Sequence, residues 1–577
     1  MGRRSVLTPA LIGIVGLLTI SPVLMLVIGS FSEGLGTFGN FTVSKYAEAY
    51  TDPALFEILL NTAVFTLGSA AVATLLALFL SYTNTRTDIP FKFFFGIISI
   101  IPMMIPHILF AISWVLLLNP SNGILNRSLV GLLALEGSPF NIYTLKGMIL
   151  VEGLLDMPVS YLIIAPAMRS FDVALEESSK VSGAGTLRTL ARVTLPVLRP
   201  AILASVILVI VRCLASFAVP SVIGMPGRIY VLATHIYRIT STGFSADYGK
   251  AAAVGMSALA AAILLIYLYR YLTSESDRYV TVSGRGFKPA LIELKGFRYP
   301  LMGVVGLLSF VLIVLPVAVL FYTSMIPYVM TPSAKAFSLM SWKNWTDVLR
   351  DPVSLLSLKN SLTLGLVGAT IGVILSILVS YVIVKVRTTA SGILESLSFL
   401  SFSFPGIVIG VGFMWFFVRT PLYSTLWALL IGYVATYLPY GIRPLSSAFV
   451  QIHSHLEESS KVCGASPFAT MRRIVVPLLI PGILSGWILL ATMFVRELTL
   501  SVVLSRPGSE VLAVQILKFA EDGMWGKLSA LGILMIFLSS ALVVGATILG
   551  KIALGRVSPG QAAGSPATPP ANPTSAG

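Results

Sequence analysis

The residues of this chain that could do chemistry are few, and the best organised of them occur twice. Leu175-Glu-Glu-Ser-Ser-Lys-Val181 reappears letter for letter as Leu456-Glu-Glu-Ser-Ser-Lys-Val462. Gly183-Ala184 aligns with Gly464-Ala465, Pro196 with Pro477, and Pro226-Gly227 with Pro507-Gly508, all at one offset of 281 residues. Glu176, Glu177 and Lys180 read as one face of a short helix, because residues three and four apart are neighbours there. Glu457, Glu458 and Lys461 repeat that face. Gly183 and Gly464 would let the chain turn into a second, basic helix carrying Arg188 and Arg192, or Arg472 and Arg473. Pro200 is expected in the first turn of the span that follows, where proline is tolerated. A polar joining loop has no reason to be the best-matched piece of two diverged copies, so each island is expected to be a docking surface.

A second set of polar residues lies where they are costly. Arg212 and the pair Arg496-Glu497 fall within apolar runs, where ionised side chains usually have a function. With His107, which follows Pro106, they are the candidates for a translocation pathway. In register Arg212 aligns with Met493 and Arg496 with Ala215, so the arginines sit about one helical turn apart and imply no symmetric ring. The competing reading for Arg496 is simple pairing, with Glu497 or a backbone carbonyl. For His107 it is a satisfied interior histidine, and for Pro102-Met103-Met104 it is packing beside a kink.

Other chemistry is not expected. His453 and His455 lack further ligands for zinc. No cluster of Cys, His or carboxylate is evident that could strip and hold a bare metal ion, so no metal site and no cofactor are expected. Gly545-x4-Gly550-Lys551 approaches a phosphate-binding loop, but Ile552 stands where Ser or Thr would meet magnesium, and the stretch closes an apolar run. Cys213 lies in an apolar segment and Cys463 in the second island, which disfavours a disulfide.

The elements that must position these groups are membrane spans. Of the 577 residues 56% are hydrophobic and 11% charged, against about 25% charged in a soluble domain. The net charge of +15 is explained by Lys- and Arg-rich cytoplasmic loops, and no basic stripe interleaved with aromatics suggests nucleic acid. Apolar runs long enough to cross a bilayer recur near 9–30, 58–82, 93–118, 145–168, 199–223 and 250–272. Six more follow near 299–323, 358–384, 392–417, 423–447, 479–504 and 526–550. The expected fold is an all-α integral membrane protein of about twelve transmembrane helices in two parallel six-helix repeats. The first run reads as an uncleaved span. With Arg3-Arg4 inside, the charge bias puts both islands, the linker and both termini in the cytoplasm, while the segment with Arg228 and Arg238 is an exception outside. Asp52-Pro53, Asn61, Ser81-Tyr82 and Pro106 match Asp351-Pro352, Asn360, Ser380-Tyr381 and Pro405 at an offset of 299, so the first half carries 18 extra residues before its island. The division expected is a first half over 1–275 with its island at 170–196, a linker over 276–298, and a second half over 299–556 with its island at 451–477. Residues 557–577, rich in Pro, Ala, Gly and Ser, should be a disordered tail.

The spacing Glu177-Ser-Ser-x3-Gly183-x9-Val193-x-Leu195-Pro196, repeated as Glu458-Ser-Ser-x3-Gly464-x9-Ile474-x-Val476-Pro477, resembles the EAA loop of ABC importer permeases. Ser-Ser stands for Ala-Ala in both copies, Val193 for Ile in the first and Val476 for Leu in the second. The whole chain resembles the fused ferric-iron type, with Pro220-Ser-Val-Ile-Gly224 and Arg496-Glu-Leu-Thr-Leu-Ser-Val502 contributing. The resemblance implies a multi-pass permease subunit of the bacterial inner membrane, not itself an enzyme. ATP hydrolysis would belong to two copies of a cytoplasmic ATP-binding cassette subunit, and an extracytoplasmic binding protein would deliver substrate. It also implies that Glu176, Glu177, Gly183, Pro196, Glu457, Glu458, Gly464 and Pro477 couple the permease to the ATPase, with Glu177 and Glu458 anchoring the docking. The substrate expected is ferric iron, with thiamine, aminoethylphosphonate and polyamine as alternatives. A gradient-driven secondary transporter fits the span count but not the duplicated island.

Overall fold

A computed structural model describes residues 2–35, 41–170, 174–241, 246–273, 291–401 and 404–557. Most of the linker and the expected tail from 558 onward lie outside these residues. The protein is about 80% helical, with no sheet among the described residues. Among the described residues nine helices are long and apolar enough to cross a membrane, ten with a bent pair counted as one span. Two further expected spans take other forms. Leu426–Gln451 has the length, but its tyrosines and Arg443 dilute its hydropathy. The 392–417 run divides into Thr389–Leu400 and the short Gly406–Phe417.

The two repeats begin alike. Asp52 caps the Pro53–Arg86 helix by accepting from the Ala54 N–H, and Asp351 caps Pro352–Thr363 by accepting from Ser354. In both, proline occupies the first helical position, whose N–H would have no intrahelical partner. Both repeats then break their third span at proline. Pro106 (φ −56°, ψ 133°) starts His107–Leu118, and Pro405 (φ −57°, ψ 133°) starts Gly406–Phe417. Proline lacks an N–H and drives the residue before it out of the helical region. The first-half pair, Lys92–Met104 and His107–Leu118, is bent by 99°.

The fifth spans differ from expectation. The helix after the first island runs without interruption from Thr186 to Ala215, with a π turn over Leu190–Thr194. That after the second runs from Pro467 to Val495 with a π turn over Met471–Val475. Pro196 and Pro477 therefore follow π turns inside continuous helices, and Pro200 sits mid-helix rather than in a first turn. The wide turn re-routes backbone bonds that a proline cannot make. Both helices also stop short of the expected ends at 223 and 504, leaving Arg496 and Glu497 just beyond a helix end rather than within a span.

The halves interlock. The first helix, Gly2–Ser30, packs on Thr389–Leu400 and Gly406–Phe417 of the second repeat, while Leu315–Met325 packs on His107–Leu118 of the first. A Cβ at Gly412 would strike the Pro22 carbonyl, so this crossing needs glycine. Within the first repeat Pro53–Arg86 lies along Leu145–Ser170. A Cβ at Gly153 would come within 2.6 Å of Val72, the small-residue contact that lets helices approach in lipid.

Candidate functional site

Each island is a short helix closed by a left-handed glycine. The helices are Ala174–Val181 and Ser454–Val462, and Gly183 and Gly464 have φ of +83° and +80°. The N–H of Ala184 donates to the Ser179 carbonyl and that of Ala465 to Ser460, at 3.1 and 3.0 Å. This is the six-to-one bond of a Schellman ending, which satisfies a carbonyl the helix leaves free. Across each turn a serine of the island meets a threonine of the next helix: Ser179 with Thr189 at 3.0 Å and Ser460 with Thr470 at 2.8 Å. Island and following span are thus tied together twice, in the same way.

The paired glutamates separate. Glu176 and Glu457 are buried at 5% and 8% exposure, whereas Glu177 and Glu458 are exposed. Glu176 Oε1 lies 3.9 Å from Arg86 Nε and accepts from the Thr194 hydroxyl at 2.7 Å. Glu457 Oε1 lies 3.4 Å from Lys385 Nζ, which also donates to the Ile452 carbonyl at 2.6 Å. Arg86 and Lys385 end equivalent spans. The first glutamate of each island therefore holds its helix to its own repeat, and the second faces outward beside Val181 or Val462, which are 89% and 88% exposed. The sequence placed both glutamates on one face and did not separate these roles. The end of the linker joins the same corner, since Ile292 N–H donates to the Arg86 carbonyl at 2.8 Å and Leu294 N–H to Asp88 at 2.9 Å.

Three of the four pathway candidates meet between the repeats, at a cavity of about 220 Å³ lined by both halves. His107, Arg212 and Arg496 line it, together with Tyr437 and Tyr440. Arg212 Nε donates to Asp156 Oδ1 at 2.8 Å, and its Nη2 lies 3.5 Å from His107 Nε2. Arg496 Nη1 donates to the Met103 carbonyl at 2.8 Å, crossing from the second repeat to the broken span of the first. Of the two pairings considered for it, the backbone carbonyl is the one found. Glu497 turns away and caps the short helix Ser501–Leu504, accepting from the N–H groups of Leu500 and Ser501 at 2.8 and 3.0 Å. Its carboxylate is thereby placed at the start of that helix, where negative charge is favourable.

Glu152 and Asp156, which also line the cavity, were missed from sequence. The structure sets them beside Cys213, with one ligand atom of each within 4.8 Å of the others. A cluster of carboxylates and cysteine, not expected from the sequence, is therefore present, and it joins segments 57 residues apart at their nearest hydrogen-bonded members. The signal available was two carboxylates four apart inside an expected span at 145–168. The near phosphate loop carries no such surprise: residues 545–551 lie inside the continuous helix Trp525–Val557, with no loop to cradle a phosphate.

Relatives with this sequence are transport proteins. A putative ferric transport system permease protein of Haemophilus influenzae is 28% identical over 486 residues, covering 83% of this chain and 74% of the relative. A ferric transport system permease protein of Actinobacillus pleuropneumoniae is 28% identical over 487 residues, covering 82% and 68%. A spermidine/putrescine transport system permease protein of Haemophilus influenzae is 29% identical over 210 residues, covering 36% of this chain and 82% of the relative. Among solved structures, a chain of a bacterial alginate ABC transporter aligns with 46% of this chain and 90% of its own, at 19% identity and a TM-score of 0.35. The profile of the binding-protein-dependent transport system inner membrane component matches twice, over residues 71–276 and 368–558. With both repeats matched, the chain belongs to that family and is a fused, two-repeat ABC importer permease.

Proposed function

We propose that this permease moves ferric iron inward by alternating access, driven by two ATPase subunits that dock on the two islands from the cytoplasm. The observation that carries the reading is the matched construction of the islands. In each, a buried glutamate anchors the helix to the permease while an exposed glutamate and valine face outward. Glu177 and Glu458 would engage the ATPase, through an arginine on that subunit. Gly183 and Gly464 would shape the rigid corner that passes motion into the fifth spans, whose π turns precede Pro196 and Pro477. An extracytoplasmic binding protein would deliver iron to the opposite face, and the cavity between the repeats would open to each side in turn.

The ferric assignment is supported by the two relatives named for ferric transport that align over more than four-fifths of this chain. The polyamine relative, aligned over about a third, favours a second reading in which the cargo is an organic cation; thiamine and aminoethylphosphonate would be tried after it. The test is uptake of labelled ferric iron in a deletion strain lacking other iron importers, with and without this gene. Restored uptake that stops on ATP depletion but survives collapse of the ion gradient supports the reading. Restored growth on polyamine with no iron uptake would replace the substrate and leave the permease.

A further inference from the structure

We propose that Glu152, Asp156 and Cys213 form a cation site in the wall of the central cavity, taking a first-row transition-metal ion on its way through. Glu152 and Asp156 stand one turn apart on the Leu145–Ser170 helix, and Cys213 comes from the adjacent Leu195–Ala215 helix. The three are 3%, 1% and 1% exposed, and a ligand atom of each lies within 4.8 Å of the others.

The charges of this corner do not balance. Arg212 serves Asp156 through Oδ1 at 2.8 Å, and the Cys213 thiol makes a long contact of 3.5 Å to Oδ2. Glu152 Oε2 is buried and has no hydrogen-bond partner. Two carboxylates thus stand beside one guanidinium, in a place where a buried charge without a direct partner is strongly disfavoured. Arg496 in the same cavity is bonded to the Met103 carbonyl, so no base stands directly against Glu152 Oε2, and either a proton or a metal ion would fill that place.

The donor set favours a metal of a particular class. Two carboxylate oxygens and one sulfur suit first-row transition ions, whereas magnesium and calcium sites are built from oxygen alone. Both carboxylates line the cavity, so an ion could reach them from the pathway. Three protein donors leave coordination positions open, and Arg212 stands ready to take Asp156 back when the ion leaves. Conduction needs such a site, firm enough to enter and loose enough to quit. The inference rests on the ferric reading for its role in transport, but the existence of the site does not.

The test uses the untagged full-length chain in lipid nanodiscs, with exposed Cys463 replaced (Cys463→Ser) and Co²⁺ as the probe. The expected result is one Co²⁺ per chain with a sulfur-to-cobalt charge-transfer band. Glu152→Gln, which changes the carboxylate whose Oε2 has no hydrogen-bond partner, should weaken binding roughly tenfold or more. Cys213→Ser should lose the band and keep the ion. No Co²⁺ binding, or equal binding by Glu152→Gln, overturns the site and points to a proton on Glu152. Either of these with permease-dependent iron uptake intact in Glu152→Gln cells leaves the ferric reading standing alone. Binding that depends on Glu152 without iron uptake keeps the site and removes iron as the cargo.

Discussion

Gly183 and Gly464 are required by backbone angle rather than by space. A Cβ added at either would meet nothing within 4 Å, yet their φ of +83° and +80° costs an ordinary L residue about 1–2 kcal/mol. The expected ranking in uptake is therefore Gly above Asn above Val at both positions together, since Asn tolerates the left-handed region best. Membrane insertion should be unchanged throughout. Full uptake by a stably expressed Gly183→Val, Gly464→Val protein would show that the corner has no coupling role. The glutamates give a sharper contrast. Glu176→Ala with Glu457→Ala should lower the thermal midpoint by several degrees, because each removes the carboxylate that ties an island to the base ending an earlier span of its repeat. Glu177→Ala with Glu458→Ala should leave the midpoint alone and reduce copurification of the ATPase. Identical behaviour of the two pairs would count against dividing the roles.

At the scale of the element, the helix Leu232–Ser241 holds a pH-sensitive residue. His235 is 2% exposed and its Nδ1 has no hydrogen-bond partner. Burial first, then the charges of Arg238 and Lys250 against a smaller pull from Asp52, depress its pKa to about 4. The fold favours neutral His235, so the unfolded chain binds the extra proton between pH 4 and the usual value of about 6.5. Stability should be full above about pH 6.5 and fall as the medium is acidified toward pH 4. His235→Gln should flatten that slope in thermal unfolding followed from pH 7 to pH 4. An unchanged slope would place the sensitivity elsewhere.

At the scale of the whole molecule, the two repeats are neither separate bodies nor simple neighbours. Each sends its first helices to pack on the broken span of the other, and Arg496 adds a hydrogen bond from the second repeat to the Met103 carbonyl of the first. Motion in one half must therefore alter packing in the other. Removing the bridge with Arg496→Met should preserve expression but cut uptake by roughly tenfold, the effect of about 1.4 kcal/mol on the working equilibrium. Wild-type uptake in this variant would reduce Arg496 to a local packing residue.

The repeated letters alone determined the class of this protein. Two copies of Leu-Glu-Glu-Ser-Ser-Lys-Val with Gly183 and Gly464 behind them specify a helix and a left-handed turn by local rules, and apolar length specifies spans. Asp52-Pro53 and Pro106, with their counterparts Asp351-Pro352 and Pro405, act within a few residues of themselves; the sequence showed them as matched positions of a repeat, and the structure showed them as caps and breaks. Only the tertiary structure decided which glutamate of each pair turns inward, because that depends on Arg86 and Lys385, about 70 to 90 residues earlier in the chain. It also decided that Arg496 bonds across the repeats instead of to Glu497, and that Glu152, Asp156 and Cys213 converge. Those outcomes follow from how helices pack across hundreds of residues, and a one-dimensional pattern of apolar runs contains the lengths of the helices but not the faces they turn to one another.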